Sequence, residues 1–167
     1  MIQEFTSKNT SVNKSKIPRI FKLVDFRPNT INLDYGGGKY DNATEYLAKK
    51  EVNNLIYDPY NRTEKHNNEV LTLIEESGGA DTATCSNVLN VIKELEVRRE
   101  ILQHMRKLVK VGGDIYITVY EGSGDGNERE TKCGYQLNRK TEDYVAEIEK
   151  TFAFVDRKGK LIHIINF

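Results

Sequence analysis

The stretch LDYGGGKYDNATEYL, Leu33 to Leu47, decides how the rest of the chain is read. A short apolar strand, Thr30 to Asp34, ends on an acid and runs straight into three glycines. A helix is expected behind them from Asn42 to Lys50, with Asn42 as cap and Glu45 completing a capping-box pattern. Glycine lets a ligand approach the backbone closely, and amides at a helix start favour a carboxylate or phosphate. The plainer reading is a tight βα turn that holds nothing, but three glycines directly after an acid favour the ligand. A dinucleotide site wants glycine at the first, third and sixth positions. Counting from Gly36, the third is Gly38 but the sixth is Asp41, so an NAD fingerprint is excluded.

Outward from this loop, strands and helices alternate. Asn54 to Tyr57 reads as a second strand, closed by Asp58-Pro59. Asn61 and Glu64 repeat the cap signature, Val70, Leu73 and Ile74 form an apolar stripe, and Ser77-Gly78-Gly79 ends that helix. Asp81 to Ser86 is a third strand. Val91, Leu95, Arg98, Leu102, Met105 and Val109 step along a long helix, Gly112-Gly113 stops it, and Ile115 to Tyr120 is the strongest strand of the chain. This alternation predicts a parallel sheet covered by helices on both faces. The end differs: after a helix from Thr141 to Lys150, the strands Phe152–Val155 and Leu161–Ile165 are joined through Asp156 to Gly159, too short for a crossover, so that pair is antiparallel.

The chain has 167 residues, 38% of them apolar and 30% charged, with zero formal net charge. That suits one domain and rules out wholesale disorder. No apolar run approaches the ~20 residues of a membrane span, and MIQEFTSKNTSVNKSK has no apolar core of a secretory leader. Two distant cysteines, Cys85 and Cys133, suit a reducing cytosol, so a cytoplasmic protein is expected. Residues 1–28 form a basic extension, with Lys8, Lys14, Lys16, Arg19, Lys22 and Arg27 against Glu4 and Asp25. Within it, Ile17, Ile20, Phe21 and Val24 predict a short amphipathic helix after Pro18. That helix could pack on the sheet or close a cleft at the strand ends. The main domain is 29–167. The histidines His66, His104 and His163 lack metal-ligand spacing, so no metal is expected. Arg98-Arg99-Glu100 reads as a solvated helix face.

Two further motifs carry chemistry. Asp58 lies 22 residues beyond Gly36, at the end of the next strand, where an acid can accept both hydroxyls of a ribose. Cys85-Ser86-Asn87-Val88-Leu89 leaves the third strand beside the glycine loop. Together these motifs resemble the class I S-adenosylmethionine-dependent methyltransferases. In that family a D-x-G-x-G loop follows the first strand (here Asp34, Gly36, Gly38), an acid ends the second (Asp58), and an S-N-V-L-like exit follows the fourth (Ser86 to Leu89). Leu108 to Gly113 stands for the family's L-K-P-G-G, with Val111 in place of proline.

The resemblance implies a Rossmann-like three-layer sandwich with a mostly parallel sheet and a C-terminal antiparallel pair. It also implies S-adenosylmethionine as cofactor, held by Asp34, Tyr35, Gly36, Gly37, Gly38, Tyr40, Asp58, Pro59, Ser86, Asn87 and Val88. Tyr40 stands where the family has a third glycine. Only 22 residues separate Asp58 from Asp81, room for one helix, so the family's third strand is expected to be missing, and with it the acid that reads adenine.

The methyl acceptor is less legible. No D/N/S-P-P-Y/F/W motif of amino-methylating DNA enzymes is present, and Cys85 has no proline before it, so it is expected to fill the strand core. DNA or RNA is therefore disfavoured, and a small-molecule or other unidentified acceptor is expected. The glycine-rich Glu121–Lys140 loop lies over the strand ends, which makes Tyr120, Glu121, Tyr135 and Gln136 the catalytic candidates. A noncatalytic binder of adenosine ligands is the competing class.

Overall fold

The computed structural model describes residues 3–6, 14–132 and 134–167. Cys133, Lys8 and most of the polar lead-in lie outside the described residues. The chain orders as α1 (Ile20–Leu23), β1 (Thr30–Tyr35), α2 (Asn42–Ala48), β2 (Val52–Tyr57), α3 (Glu64–Glu76), β3 (Ala80–Ser86), α4 (Leu95–Leu108), β4 (Val109–Thr118), β5 (Glu128–Thr131), β6 (Gly134–Leu137), α5 (Glu142–Ile148), β7 (Phe154–Lys158) and β8 (Leu161–Ile165). Six strands form one sheet in the order β2-β1-β3-β4-β8-β7, and β5 and β6 pair separately. The pairs β1–β2, β1–β3 and β3–β4 are parallel, whereas β8 runs antiparallel to both β4 and β7. The sheet stops at β2. The third strand that the spacing ruled out is absent among the described residues, because the single helix α3 connects Tyr57 to Ala80.

Side chains alternate across a strand, so the sheet has two unlike faces. Leu33, Tyr35, Ala83, Cys85, Ile115, Ile117, Ile162 and Ile164 face α3, α4 and α5, and they build the main core with Val70, Ile74, Ile101, Leu102, Met105 and Ile148. The opposite face carries Asn32, Asp34, Asn54, Thr82 and Thr84, all buried. Its apolar cover is a smaller cluster: Ile20, Phe21, Val24, Phe26, Ala43, Leu47 and Val52. The helix in the basic extension thus packs on the sheet.

Buried polar groups need partners, and here they find them in one row. Asn32 donates to Asn54 Oδ1 (2.7 Å) and Thr84 Oγ1 (3.0 Å), Thr82 donates to Asn32 Oδ1 (2.8 Å), and Asn54 donates to Thr44 Oγ1 (3.1 Å). The row ends at Asp34, whose Oδ1 accepts from Thr84 at 3.4 Å.

Several expectations are corrected. Asp41, not Asn42, occupies the N-cap position of α2, without a side-chain hydrogen bond to the helix, and Asn42 reaches back to the Lys16 carbonyl. Thr63, not Asn61, caps α3, accepting from the His66 amide. Leu73 is 47% exposed, so the buried stripe of α3 is Val70 and Ile74 with Asn67. The long helix from Val91 breaks into a 3-10 turn, Leu89–Val91, and α4, because Arg98 takes the Ile92 and Lys93 carbonyls (2.8 and 3.0 Å).

Arg98 is therefore no solvated residue: it is 5% exposed and forks onto buried Glu147 (2.8 and 3.2 Å), which also accepts from Arg139 at 3.2 Å. Gly112-Gly113 does not separate helix from strand either. β4 starts at Val109, and the glycines pair with Asn166, where a Cβ on Gly113 would meet the Asp81 carbonyl at 2.8 Å. Asp156 to Lys158 belong to β7, and the turn shrinks to Gly159-Lys160, with Gly159 at φ 61°.

Candidate functional site

The parallel strands β1, β2 and β3 end at one edge, where the three motifs meet. Gly36 (φ 74°) donates to the Tyr57 carbonyl at 2.8 Å, tying the glycine turn to the end of β2. A Cβ on Gly36 would lie 2.5 Å from Val88 Cγ2, and one on Gly37 would lie 2.4 Å from Asp34 Oδ2. Only glycine fits beneath the β3 exit and beside that carboxylate. Asn87, itself at φ 57°, donates its amide to the Thr118 carbonyl, and Ser86 Oγ accepts from Thr118 Oγ1 at 3.2 Å.

Asp34 is fully enclosed, and burial pushes its carboxyl up to about 7, against hydrogen bonds from Asn54 and Thr84 that pull it down. Asp58, 3% exposed, accepts from the Gly38 amide (2.9 Å), the amides of Tyr60 and Asn61 (3.0 and 2.9 Å) and the Asn61 side chain. Asn67 brackets the same residue's backbone, accepting from the Asp58 amide and donating to its carbonyl, both at 3.0 Å. Arg62 donates to the Gly38 carbonyl (2.7 Å) and pairs with Asp41 (2.8 Å), so it braces the glycine turn from below.

Not every expected residue faces this edge. The Tyr35 ring points into the main core, where it shares a 2.9 Å hydrogen bond with His104 Nδ1. Pro59 is exposed, and Tyr40 is half-buried with the Lys39 ammonium 5.3 Å from its ring centre. Asn61, Arg62, Asn67 and Asn90 were not legible as site residues. A helix-interior asparagine nine residues past Asp58 was the one available signal for Asn67.

On the acceptor side, the expected loop is an antiparallel hairpin, β5–β6, docked on the 3-10 turn after β3. Asn90 donates to Gln136 Oε1 (3.0 Å), and Gln136 Nε2 donates to the Tyr120 and Leu137 carbonyls. Glu121 accepts from the Thr141 amide and hydroxyl and pairs with Lys160 at 2.6 Å. Lys160 and Thr141 hold its carboxyl down at about 2, so it is a fixed anion that latches the loop. Tyr135 is buried with its phenol pushed up to about 12, chiefly by burial, and its ring stacks on Phe5. Of the four candidates Tyr120 is the exposed one, at 61%. Each histidine is bonded within the fold: His66 to the Ile56 carbonyl, His104 to Tyr35 and His163 to Asp114.

A parallel sheet with this strand order, closed by an antiparallel pair and turned on glycine after its first acid, is the architecture of the class I S-adenosylmethionine-dependent methyltransferases. The family model of a methyltransferase domain matches residues 5–150, and the chain belongs to that family. Its cofactor is S-adenosylmethionine.

The fold is shared at low identity with solved structures. One is 1,6-didemethyltoxoflavin-N1-methyltransferase from Burkholderia thailandensis, with bound 1,6-didemethyltoxoflavin and S-adenosylhomocysteine (14% identity, 83% of this chain and 70% of that one, TM-score 0.58). Another is a SAM-dependent methyltransferase from Aquifex aeolicus (13%, 87% and 86%, TM-score 0.55). A third is the [4+2]-cyclase SpnF (13%, 80% and 57%, TM-score 0.55), of which this chain spans little more than half. No curated protein matches the sequence. No helix among the described residues is long and apolar enough to cross a membrane.

Proposed function

We propose that the chain transfers the methyl group of S-adenosylmethionine to a small-molecule acceptor in the cytoplasm. The observation that carries this reading is the convergence of Asp34, the Gly36–Gly38 turn, Asp58 and the Asn87-Val88 exit on one strand edge, with no room for a side chain on Gly36 or Gly37. The donor set suits the cofactor. Asp34 is a buried carboxyl whose ionised form the methionine ammonium would stabilise, and Asp58 is the acid placed to accept ribose hydroxyls. The backbone of Gly36 to Gly38 takes the methionine end. The sulfonium supplies an electrophilic methyl group. Against it the chain's own residues position the acceptor and exclude water, with Tyr120 the exposed candidate side chain. Small-molecule acceptors are favoured by the toxoflavin enzyme's likeness in fold, by the balanced charge, and by the packing of the basic extension on the sheet face.

A noncatalytic adenosine-ligand binder is the second reading, favoured because Glu121 and Gln136 are hydrogen-bonded within the fold and Tyr135 is buried. Calorimetry with S-adenosylmethionine, S-adenosylhomocysteine and NAD, together with a labelled-methyl assay on fractionated lysate, separates the two. Cofactor binding with label transfer to small molecules is expected. Binding without transfer on any fraction favours the binder, and tight NAD binding overturns both.

A further inference from the structure

Both carboxylate oxygens of Asp58 already accept hydrogen bonds within the fold. Its Oδ1 accepts from the Tyr60 and Asn61 amides, and its Oδ2 accepts from the Gly38 amide. What remains of the carboxylate is covered by one side chain. Asn61 Nδ2 lies 3.2 Å from Oδ1 and 3.1 Å from Oδ2, a near-symmetric bridge across both oxygens. Two adjacent hydroxyls of a ribose would bridge the same pair of atoms. The orientation of the amide is fixed chemically, because only its nitrogen can donate to a carboxylate.

Among the described residues, the Asn61 side chain bonds no group other than Asp58. It does not cap α3, which Thr63 does. Its side chain is half-exposed at a loop turn, so it can swing out without disturbing the core, whereas the backbone amides cannot.

We infer that Asn61 is an internal stand-in for the ribose diol, a residue that sets cofactor affinity by competing for Asp58. The inference rests on the reading of Asp58 as the ribose acceptor. A buried carboxylate with no donor on its outer edge would be costly, and hydrogen bonds to charged groups are strong. The asparagine therefore stabilises the cofactor-free loop and must be displaced when a nucleoside arrives. Any ligand carrying the vicinal diol meets this competition, and one that lacks the nucleoside does not.

The test is calorimetric titration of S-adenosylhomocysteine and adenosine into the whole protein and into Asn61→Ala, Asn61→Ser and Asp58→Ala, alongside the ligand-free melting temperature. Asn61→Ala is expected to bind both ligands about tenfold more tightly while melting slightly lower, with Asn61→Ser following it. In the unsubstituted protein the ¹⁵N side-chain amide signal of Asn61 should move on adding S-adenosylhomocysteine. Asp58→Ala is expected to lose at least tenfold in affinity. If Asp58→Ala weakens binding but both Asn61 variants bind equally or less tightly, the competition is refuted and the ribose reading stands. If Asp58→Ala binds unchanged, the ribose reading falls and the inference with it.

Discussion

Asp34 is the residue at which stability and binding pull apart. Its carboxyl, ordinarily near 3.8, sits at about 7 in the folded chain because it is buried. The folded state therefore holds a proton that the unfolded state has released, so between about pH 4 and 7 stability falls as pH rises. Cofactor binding has the opposite sign, because the methionine ammonium prefers the carboxylate. We expect affinity for S-adenosylhomocysteine to tighten as pH rises through 7, with proton release on binding seen by calorimetry in buffers of different ionisation heat. Asp34→Asn should flatten the stability profile and raise the melting temperature at pH 8, while weakening binding at least tenfold. A pH-independent affinity in the unsubstituted protein would show that Asp34 does not meet the ammonium.

At the scale of elements, Glu147 is the junction. It joins α5 to α4 through Arg98 and to the end of the β5–β6 hairpin through Arg139, while Arg98 also holds the carbonyls that end the segment after β3. Removing one member leaves a buried charge unpaired, which costs about 3–5 kcal/mol, whereas replacing both by apolar residues of similar volume is often close to neutral. Glu147→Leu is accordingly expected to destabilise strongly in urea unfolding, and Arg98→Met with Glu147→Leu to recover part of the loss, since Arg139 and the Ile92 and Lys93 carbonyls still lose a partner. Equal destabilisation by the single and the double variant would argue against the pair as the source.

The strand alternation, the glycine turn and the truncated sheet were legible because each has a local signature: a period, a φ requirement, a spacing. The hairpin and the Glu147 junction were not. Tyr135 and Leu137 alternate inward for only four residues amid glycines, and Arg98 shares the period of an apolar stripe while carrying a charge that suggests solvent. Partners 49 residues apart leave no trace in a local pattern. The fold brings the acids and glycines singled out in the sequence to one candidate site, whereas Asn61, Asn67 and Asn90 left no mark there, because their contacts depend on what the fold brings to them.

For the whole molecule, the unequal faces decide where it is fragile. The main core lies on one side, and the other rests on a small cluster in which Ile20 and Phe21 are wholly buried. Phe21→Ala should cost about 3–5 kcal/mol, and a deletion of residues 1–26 should lower the melting temperature more than it changes cofactor affinity per folded molecule. Thermal melting with ligand titration of the folded fraction checks both. A fully stable truncated chain would show that the basic extension is dispensable to the sheet.

The asparagine–threonine row has a consequence for how the strands find one another. Sliding β1 by a single residue would turn Asn32 and Asp34 toward α4, and Leu33 and Tyr35 toward α2, since the side-chain period of a strand is two. Asn32 and Asp34 would then be stranded in hydrocarbon, and Asn54, Thr82 and Thr84 would lose them as partners. In a parallel sheet, whose strands are joined by long crossovers and get no guidance from a tight turn, that all-or-none penalty works as an alignment key. It lets β2, β1 and β3 lock in the single offset that also brings Asp34 beneath the glycine turn.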